Sequence, residues 1–459
     1  MTDFDLVVRG DLVLPQRIVK DGWVAVSQGR IAMVGDGPPP SATTVHDARG
    51  AWVMAGAIDA HVHSLSQRGQ EGFGRSTRSA ASGGVTAFCD MPYDDGRLIA
   101  NVENFDAKRR EIEAEAVIDV GLYATIHPSD GTANIADLAR AGASAFKFST
   151  YESDPGRFPR IPTALLAEAF AAAGAFGLVS GVHNENQEIV DACIAKARKD
   201  GLNSPEVHAA TRPVLNEAMA MLEIYEAGVT AGARAHVVHC SISRGIEICE
   251  SYKRQGHAAS VEVLLPHLAL TEDDDVRRLG GFGKINPPIR PAPERERLWR
   301  HLVAGQIDIV SSDHVCWSLD RKNNDNMLKN ASGLPGVDAF MPLFLTACLR
   351  RDVPLSLATR LVSLNPARHF GFLPDKGLIA TGYDADLVVI EPGSFKYDSG
   401  NTLSVLDWSP YDGMTMDVRV QATFVRGALV WDGSAIVQEP GFGRFIRPTS
   451  APETRVSQQ

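Results

Sequence analysis

Six side chains far apart in the chain have the donor types that a divalent metal site needs: His61, His63, Lys147, His183, His239 and Asp313. His61 and His63 stand one residue apart in GAIDAHVHS, at the end of an apolar run. In an extended strand side chains alternate between faces, so both imidazoles point the same way, and either they pack there or they share a ligand. In ASAFKFST, Ala145, Lys147 and Ser149 share one face and Phe146 and Phe148 the other, which turns the lysine away from the helix layer. Lysine is rarely buried unpaired. In a low-dielectric site it becomes a nucleophilic neutral amine, the alternative being a structural salt bridge.

His183 in VHNENQEIV sits where an apolar run gives way to a polar one. In RAHVVHCSI, His236 and His239 fall on opposite faces of a strand, and His239 lies nearer its C-terminal end. Asp313 follows the apolar IDIV, where a buried carboxylate needs a compensating charge, and its neighbour His314 has the opposite parity and a structural role. Four histidines, a carboxylate and a lysine suit zinc or a similar divalent ion such as Mn2+ or Co2+. They are too many for one tetrahedral ion. Two ions about 3.5 to 4 Å apart, with a bridging group and a bridging hydroxide as nucleophile, would use them all.

These residues need a scaffold that gathers them. From residue 53 to 374, apolar β-branched runs alternate with helical stretches, giving eight strand candidates, five of which end on or near the residues named above: VMAGAIDAHVH, VTAFCDMP, VIDVGLYATI, ASAFKFST, GLVSGVHNEN, RAHVVHCSI, AASVEVLLPHLAL and IDIVSSDHV. Eight such units predict an α/β fold, a (β/α)8 TIM barrel, with its active site at the C-terminal strand ends. Residues 1–52 and 375–445 read as short strands with Gly and Asp turns, so both chain ends are expected to build one small discontinuous β-sandwich domain. Residues 446–459 are polar and read as a flexible tail or an arm on a neighbouring subunit.

Composition narrows the function further. Net charge of −11 without a basic block argues against nucleic acid or an anionic membrane as partner. No stretch approaches the roughly 18 apolar residues of a membrane span, MTDFDLVVRG lacks a secretory signal's character, and six scattered cysteines without a CxxC pair read as free thiols in a cytoplasmic protein. The sequence contains no GxGxxG after a strand, Walker loop, GxSxG elbow or HExxH.

Nearly the whole chain resembles the amidohydrolase superfamily, in its branch of hydantoinases, dihydropyrimidinases and allantoinases. The resemblance rests on GAIDAHVHS, EGFGRSTRSAASGGVTAFCDMP, FKF, VHNEN, HVVHCS, NPPIR, SSDH, GLPGV and NPARHFGFLPDKGLIATGYDADLVV. It implies that His61, His63 and Asp313 hold one metal, that His183 and His239 hold the other, and that Lys147 is carboxylated by CO2 and bridges both. Asp313 would move the proton during attack on the ring carbonyl of a cyclic amide. Tyr151, Asn286 and Ser332 fall where the family contacts the substrate, although Tyr151 stands one residue nearer the lysine than the usual tyrosine. Leu65 replaces the arginine that binds the carboxylate in dihydroorotases, which disfavours dihydroorotate. The EGF and GGVTAFCDMP segments lean toward allantoinase and GLPGVDAFMPLFLT toward hydantoinase. A non-catalytic scaffold and a lactone-cleaving enzyme are the alternatives, and relatives imply a homodimer or homotetramer.

Overall fold

In the computed structural model, which describes residues 4–449, parallel strands run Ala57–His63, Val85–Asp90, Asp119–Ala124, Ala145–Ser149, Val179–His183, Ala235–Val237 and Ala259–Leu264, with an eighth in two pieces, Ile309–Ser311 and His314–Val315. Each pairs with the next in sequence. His314 pairs with Val62 of the first strand, which closes the sheet into a (β/α)8 barrel. VTAFCD and DVGLYA are buried at every residue, as parallel strands covered on both faces must be.

The barrel floor is apolar: Ile58, Ala87, Tyr123, Ala145, Val179 and Ile309 meet there above Phe370 and Phe372. Phe146 and Phe148 join the outer cluster, so alternation in AFKFS carries Lys147 inward, one step above Ala145. The first strand departs from simple alternation. Ile58 and Ala60 both enter the floor, the register shifts between Asp59 and Val62, and Val62 then packs outward, which leaves His61 and His63 facing the cavity above. One extra residue in a strand re-aims the side chains after it.

The chain ends build the second unit. Strands Phe4–Val13, Ile18–Ser27, Arg30–Asp36 and Ala42–Ala55 join Leu387–Lys396, Thr415–Val425 and Ala428–Trp431 in one seven-stranded sheet. The union is the antiparallel pairing of Val53 with Val389 and its neighbours. The far edge returns to the C-terminal part through Ile31 N donating to Tyr383 O (2.8 Å) and Ala385 N donating to Gly29 O (2.9 Å). The sheet thereby folds over one apolar core that includes Val8, Val24, Val53, Leu387 and Phe424.

Beneath the barrel Lys376 Nζ bonds Asp119 (2.7 Å), Asp386 (2.7 Å) and Asp384 (3.2 Å), and Arg426 also pairs with Asp119. This network ties the small sheet to the third barrel strand. Ile446 N donates to Val120 O (2.9 Å) and Thr449 N to Gly371 O (2.9 Å), so the first residues of the polar tail are held under the barrel; residues 450–459 lie outside the described part.

Candidate metal centre

All six expected ligands line one cavity of about 460 Å³ at the C-terminal strand ends, and Tyr151, Asn286 and Ser332 line it too. His61 and His63 end the first strand, Lys147 sits in the fourth, and His183 closes the fifth. His239 and Asp313 lie just outside regular strand, in left-handed backbone at φ 45° and 49°. Such conformations are uncommon for residues with a Cβ and persist where the surroundings over-determine them. Asp313 interrupts the eighth strand, and this turn points its carboxylate at the histidines.

The donors form two groups. His61 Nε2 lies 3.3 Å from His63 Nε2 and 3.2 Å from Asp313 Oδ1, which is 3.3 Å from His63 Nε2. Opposite them His183 Nδ1 is 2.9 Å from His239 Nε2. Each group has a ring fixed by a buried carboxylate. His61 Nδ1 meets Glu262 Oε1 at 3.0 Å, and His183 Nε2 meets Glu185 Oε2 at 2.8 Å. Burial opposes the charge on Glu262, but His61 and His236 outweigh it and hold the carboxyl well below its usual range. For Glu185, Arg212 and His183 likewise outweigh burial and lower the carboxyl. An ionised carboxylate accepts, so the ring nitrogen facing it carries the proton and the other ring nitrogen presents a lone pair. Lone pairs then face one another in the cavity, an arrangement that a shared cation satisfies.

Burial sets the remaining charges. It lowers His61 to about 4 and keeps His63 and His239 well below the ordinary imidazole value, so all three are neutral at pH 7. Burial raises Asp313. Lys147, buried and with no hydrogen bond or ion pair to its ammonium among the described residues, is lowered to about 8 by desolvation. A substantial neutral fraction follows near neutral pH. Neutral imidazoles, a carboxylate and a nucleophilic amine fit a divalent metal site.

Tyr151 stacks beside His183 with ring centroids 6.2 Å apart, and its hydroxyl lies 3.5 Å from Arg212. Asn286 Oδ1 accepts from Ser332 Oγ at 3.2 Å on the facing wall. His314 stays outside the donor groups: its Nδ1 accepts from Gly336 N (3.0 Å), and its Nε2 meets Glu71 (3.1 Å), which anchors the GLPGV loop. His236 bonds Ser260 Oγ at 2.8 Å. Sequence reasoning passed over Glu262 and Glu185, although the V-E-V alternation of the seventh strand and the spacing of two in HNE were visible signs. It also passed over Lys108, buried in a helix and bonded to Asp90 (2.6 Å) and Asp94 (2.5 Å). Asp90 in turn accepts from Ser64 N at 2.9 Å, which fixes the chain directly after His63.

The chain belongs to the amidohydrolase family, whose model matches residues 52–430. Among similar proteins, an allantoinase of Rubrobacter xylanophilus is 34% identical over 457 residues, 98% of each chain. A dihydroorotase of Halobacterium salinarum is 33% identical over 388 residues, 84% of this chain and 87% of that one. The structure of the L-hydantoinase (dihydropyrimidinase) from Arthrobacter aurescens matches with a TM-score of 0.93 at 29% identity, over 97% of this chain and 100% of that one.

Proposed function

We propose that the protein hydrolyses a C–N bond of a small cyclic amide, of the hydantoin, dihydropyrimidine, allantoin or related ureide and imide class. The observation that carries this reading is the convergence of two lone-pair donor groups on one cavity beside a buried lysine whose ammonium makes no hydrogen bond or ion pair among the described residues. His61, His63 and Asp313 would hold one divalent ion and His183 and His239 the other, zinc being the first choice for this nitrogen-rich set. The neutral amine of Lys147 would add to CO2 and release a proton to solvent, giving a carbamate anion where a cation had stood, able to serve both groups. Bound ions supply a Lewis acid for the ring carbonyl and an activated water.

The chain's own residues do the rest. Asp313, raised by burial, accepts the proton of the attacking water and returns it to the departing ring nitrogen. Burial also raises Tyr151, which keeps its hydroxyl protonated as a donor toward the carbonyl oxygen. Asn286 and Ser332, fixed on each other, position the ring against the facing wall. Glu262 and Glu185 hold the tautomers of His61 and His183.

No helix among the described residues is long and apolar enough to cross a membrane, and all six cysteines are free thiols, which supports placing the enzyme in the reducing cytoplasm. A homodimer or homotetramer is supported by Leu215, Met219 and Leu222, which form an exposed apolar stripe on the helix Val214–Ala231. The direct test is ring opening by metal-loaded protein across hydantoin, dihydrouracil and allantoin. Turnover of at least one ring, lost on chelation and restored by metal, is expected; failure on every ring refutes the reading.

A further inference from the structure

The cavity mouth brings together one indole and two guanidiniums. Trp317 Nε1 donates to Ser332 O at 2.9 Å, which fixes the ring. The Arg321 guanidinium carbon lies 4.3 Å from the indole centroid and that of Arg157 lies 5.3 Å from it. All three line the cavity that holds the metal-ligand candidates. The two arginines come from different loops, so no local sequence constraint forces them together.

Neither guanidinium has an ion-pair partner among the described residues. Arg157 is half-buried, and only its Nε is engaged, donating to Tyr93 O at 2.9 Å. Asp95, Asp94 and Asp154 lie near enough to favour the charge of Arg157, but none forms an ion pair with it. Asp94 pairs with Lys108 and Arg97, Asp95 accepts from Arg68 N (3.0 Å), and Asp154 accepts from the backbone of Gly156 (3.0 Å) and Arg157 (3.2 Å). Farther in, buried Lys284 donates only to the carbonyls of Leu328 (3.0 Å) and Asn330 (2.6 Å). Burial pulls Arg157 below its ordinary value, with Asp95, Asp94 and Asp154 opposing the shift and Arg321 adding to it. A partly buried cation such as Arg157 gains most when an anion pairs with it, while Arg321 is exposed at the mouth and can reach the same anion. Aromatic walls beside them, Trp317 and the contact pair Tyr93 and Phe158 (centroids 4.1 Å apart), exclude water and strengthen any pair that forms.

We propose that the cavity selects cyclic amides carrying an anionic side chain, a carboxylate held by Arg157 and Arg321 beside Trp317. This rests on the ring-opening reading above. It places the anion at the mouth, on a side chain, and is compatible with Leu65 standing where a ring-borne carboxylate would find its arginine in dihydroorotases. A guanidinium and a carboxylate match in a two-pronged geometry that a neutral amide cannot reproduce.

The test compares a hydantoin bearing a propionate side chain with its uncharged propionamide isostere on metal-loaded enzyme. The wild type is expected to favour the carboxylate by at least about tenfold in kcat/KM, mainly through KM. Arg157→Gln combined with Arg321→Gln should bring the ratio near one, and Arg157→Lys with Arg321→Lys should retain part of it. A second measurement needs no variant: raising the ionic strength from about 0.02 to about 0.5 M should lower the wild-type ratio several-fold. A wild-type ratio near one, or a ratio that neither the glutamines nor salt changes, overturns the proposal. Opening of uncharged rings but not of the carboxylate overturns it while leaving the ring-opening reading intact; failure on every ring removes both.

Discussion

Three clusters among the described residues bring potential metal ligands within reach of one another, one of them Glu71, His314 and Cys316, and the other two lie at opposite ends of the barrel. Beneath it, Asp119, Asp384 and Asp386 converge; above it, His61, His63 and Asp313 do. Proximity does not distinguish them, but charge and donor balance do. The lower carboxylates are met by Lys376 and Arg426, and burial of Lys376 is outweighed by Asp119 and Asp386, which raise it far above its ordinary value. In the upper group burial keeps His61 and His63 neutral, Glu262 fixes the outward nitrogen of His61, and Lys147 makes no hydrogen bond or ion pair through its ammonium among the described residues. The lower cluster is complete and serves as a structural tie. The upper one is complete only with a cation.

Substitutions separate the two clusters most sharply at the level of rate. Asp313→Asn, which keeps shape but removes the proton acceptor, is expected to cut kcat by about 10²- to 10⁴-fold with little change in thermal stability. Lys376→Met should do the reverse. It leaves the buried Asp386 without its cation and Asp119 with Arg426 alone, costs about 3–5 kcal/mol in urea denaturation, and leaves metal content per folded chain unchanged.

Acid should also act on the upper end first. His61, and His267 on a neighbouring segment, are both lowered to about 4 by burial. Between pH of about 6.5 and about 4 the unfolded chain therefore binds protons that the folded chain does not, so stability falls as pH falls. For metal-free protein each such imidazole costs about 3 kcal/mol by pH 4, measurable as a declining midpoint in denaturant. Asp119, which Lys376 and Arg426 hold low against the effect of burial, keeps its ion pairs through that window. The smallest expected effect is that of Glu262→Gln, which loosens the His61 tautomer and should weaken metal binding by about 10- to 100-fold in a competition titration.

Much of this was legible in the sequence, for identifiable reasons. Alternation in AFKFS alone turns Lys147 inward, because five residues of regular strand allow no other choice once the phenylalanines face the helices. The spacing of His61 and His63 predicts a same-face pair, and both line the cavity, yet the shift after Asp59 that turns them there has no local sequence signal. The choice of His239 over His236 rests on its place nearer the C-terminal end of the strand and that of Asp313 over His314 on strand parity, whereas the structure places both chosen residues in left-handed backbone outside regular strand. The choices agree with the geometry because residues at strand ends, not parity, line the cavity. Glu262, Glu185 and Lys108 escaped notice because a lone charge in an apolar run acquires meaning only from a partner far away in the chain. The return of Ile31 to Tyr383, which closes the small sheet, is of the same kind.

The most direct measurement is metal content by elemental analysis of wild type and Lys147→Ala, both purified with zinc and CO2 present. Two ions per wild-type chain and one or fewer in the variant, with added acetate restoring part of the second, are predicted. Two ions in both proteins, or none above trace in the wild type, would contradict the two-ion centre bridged by Lys147.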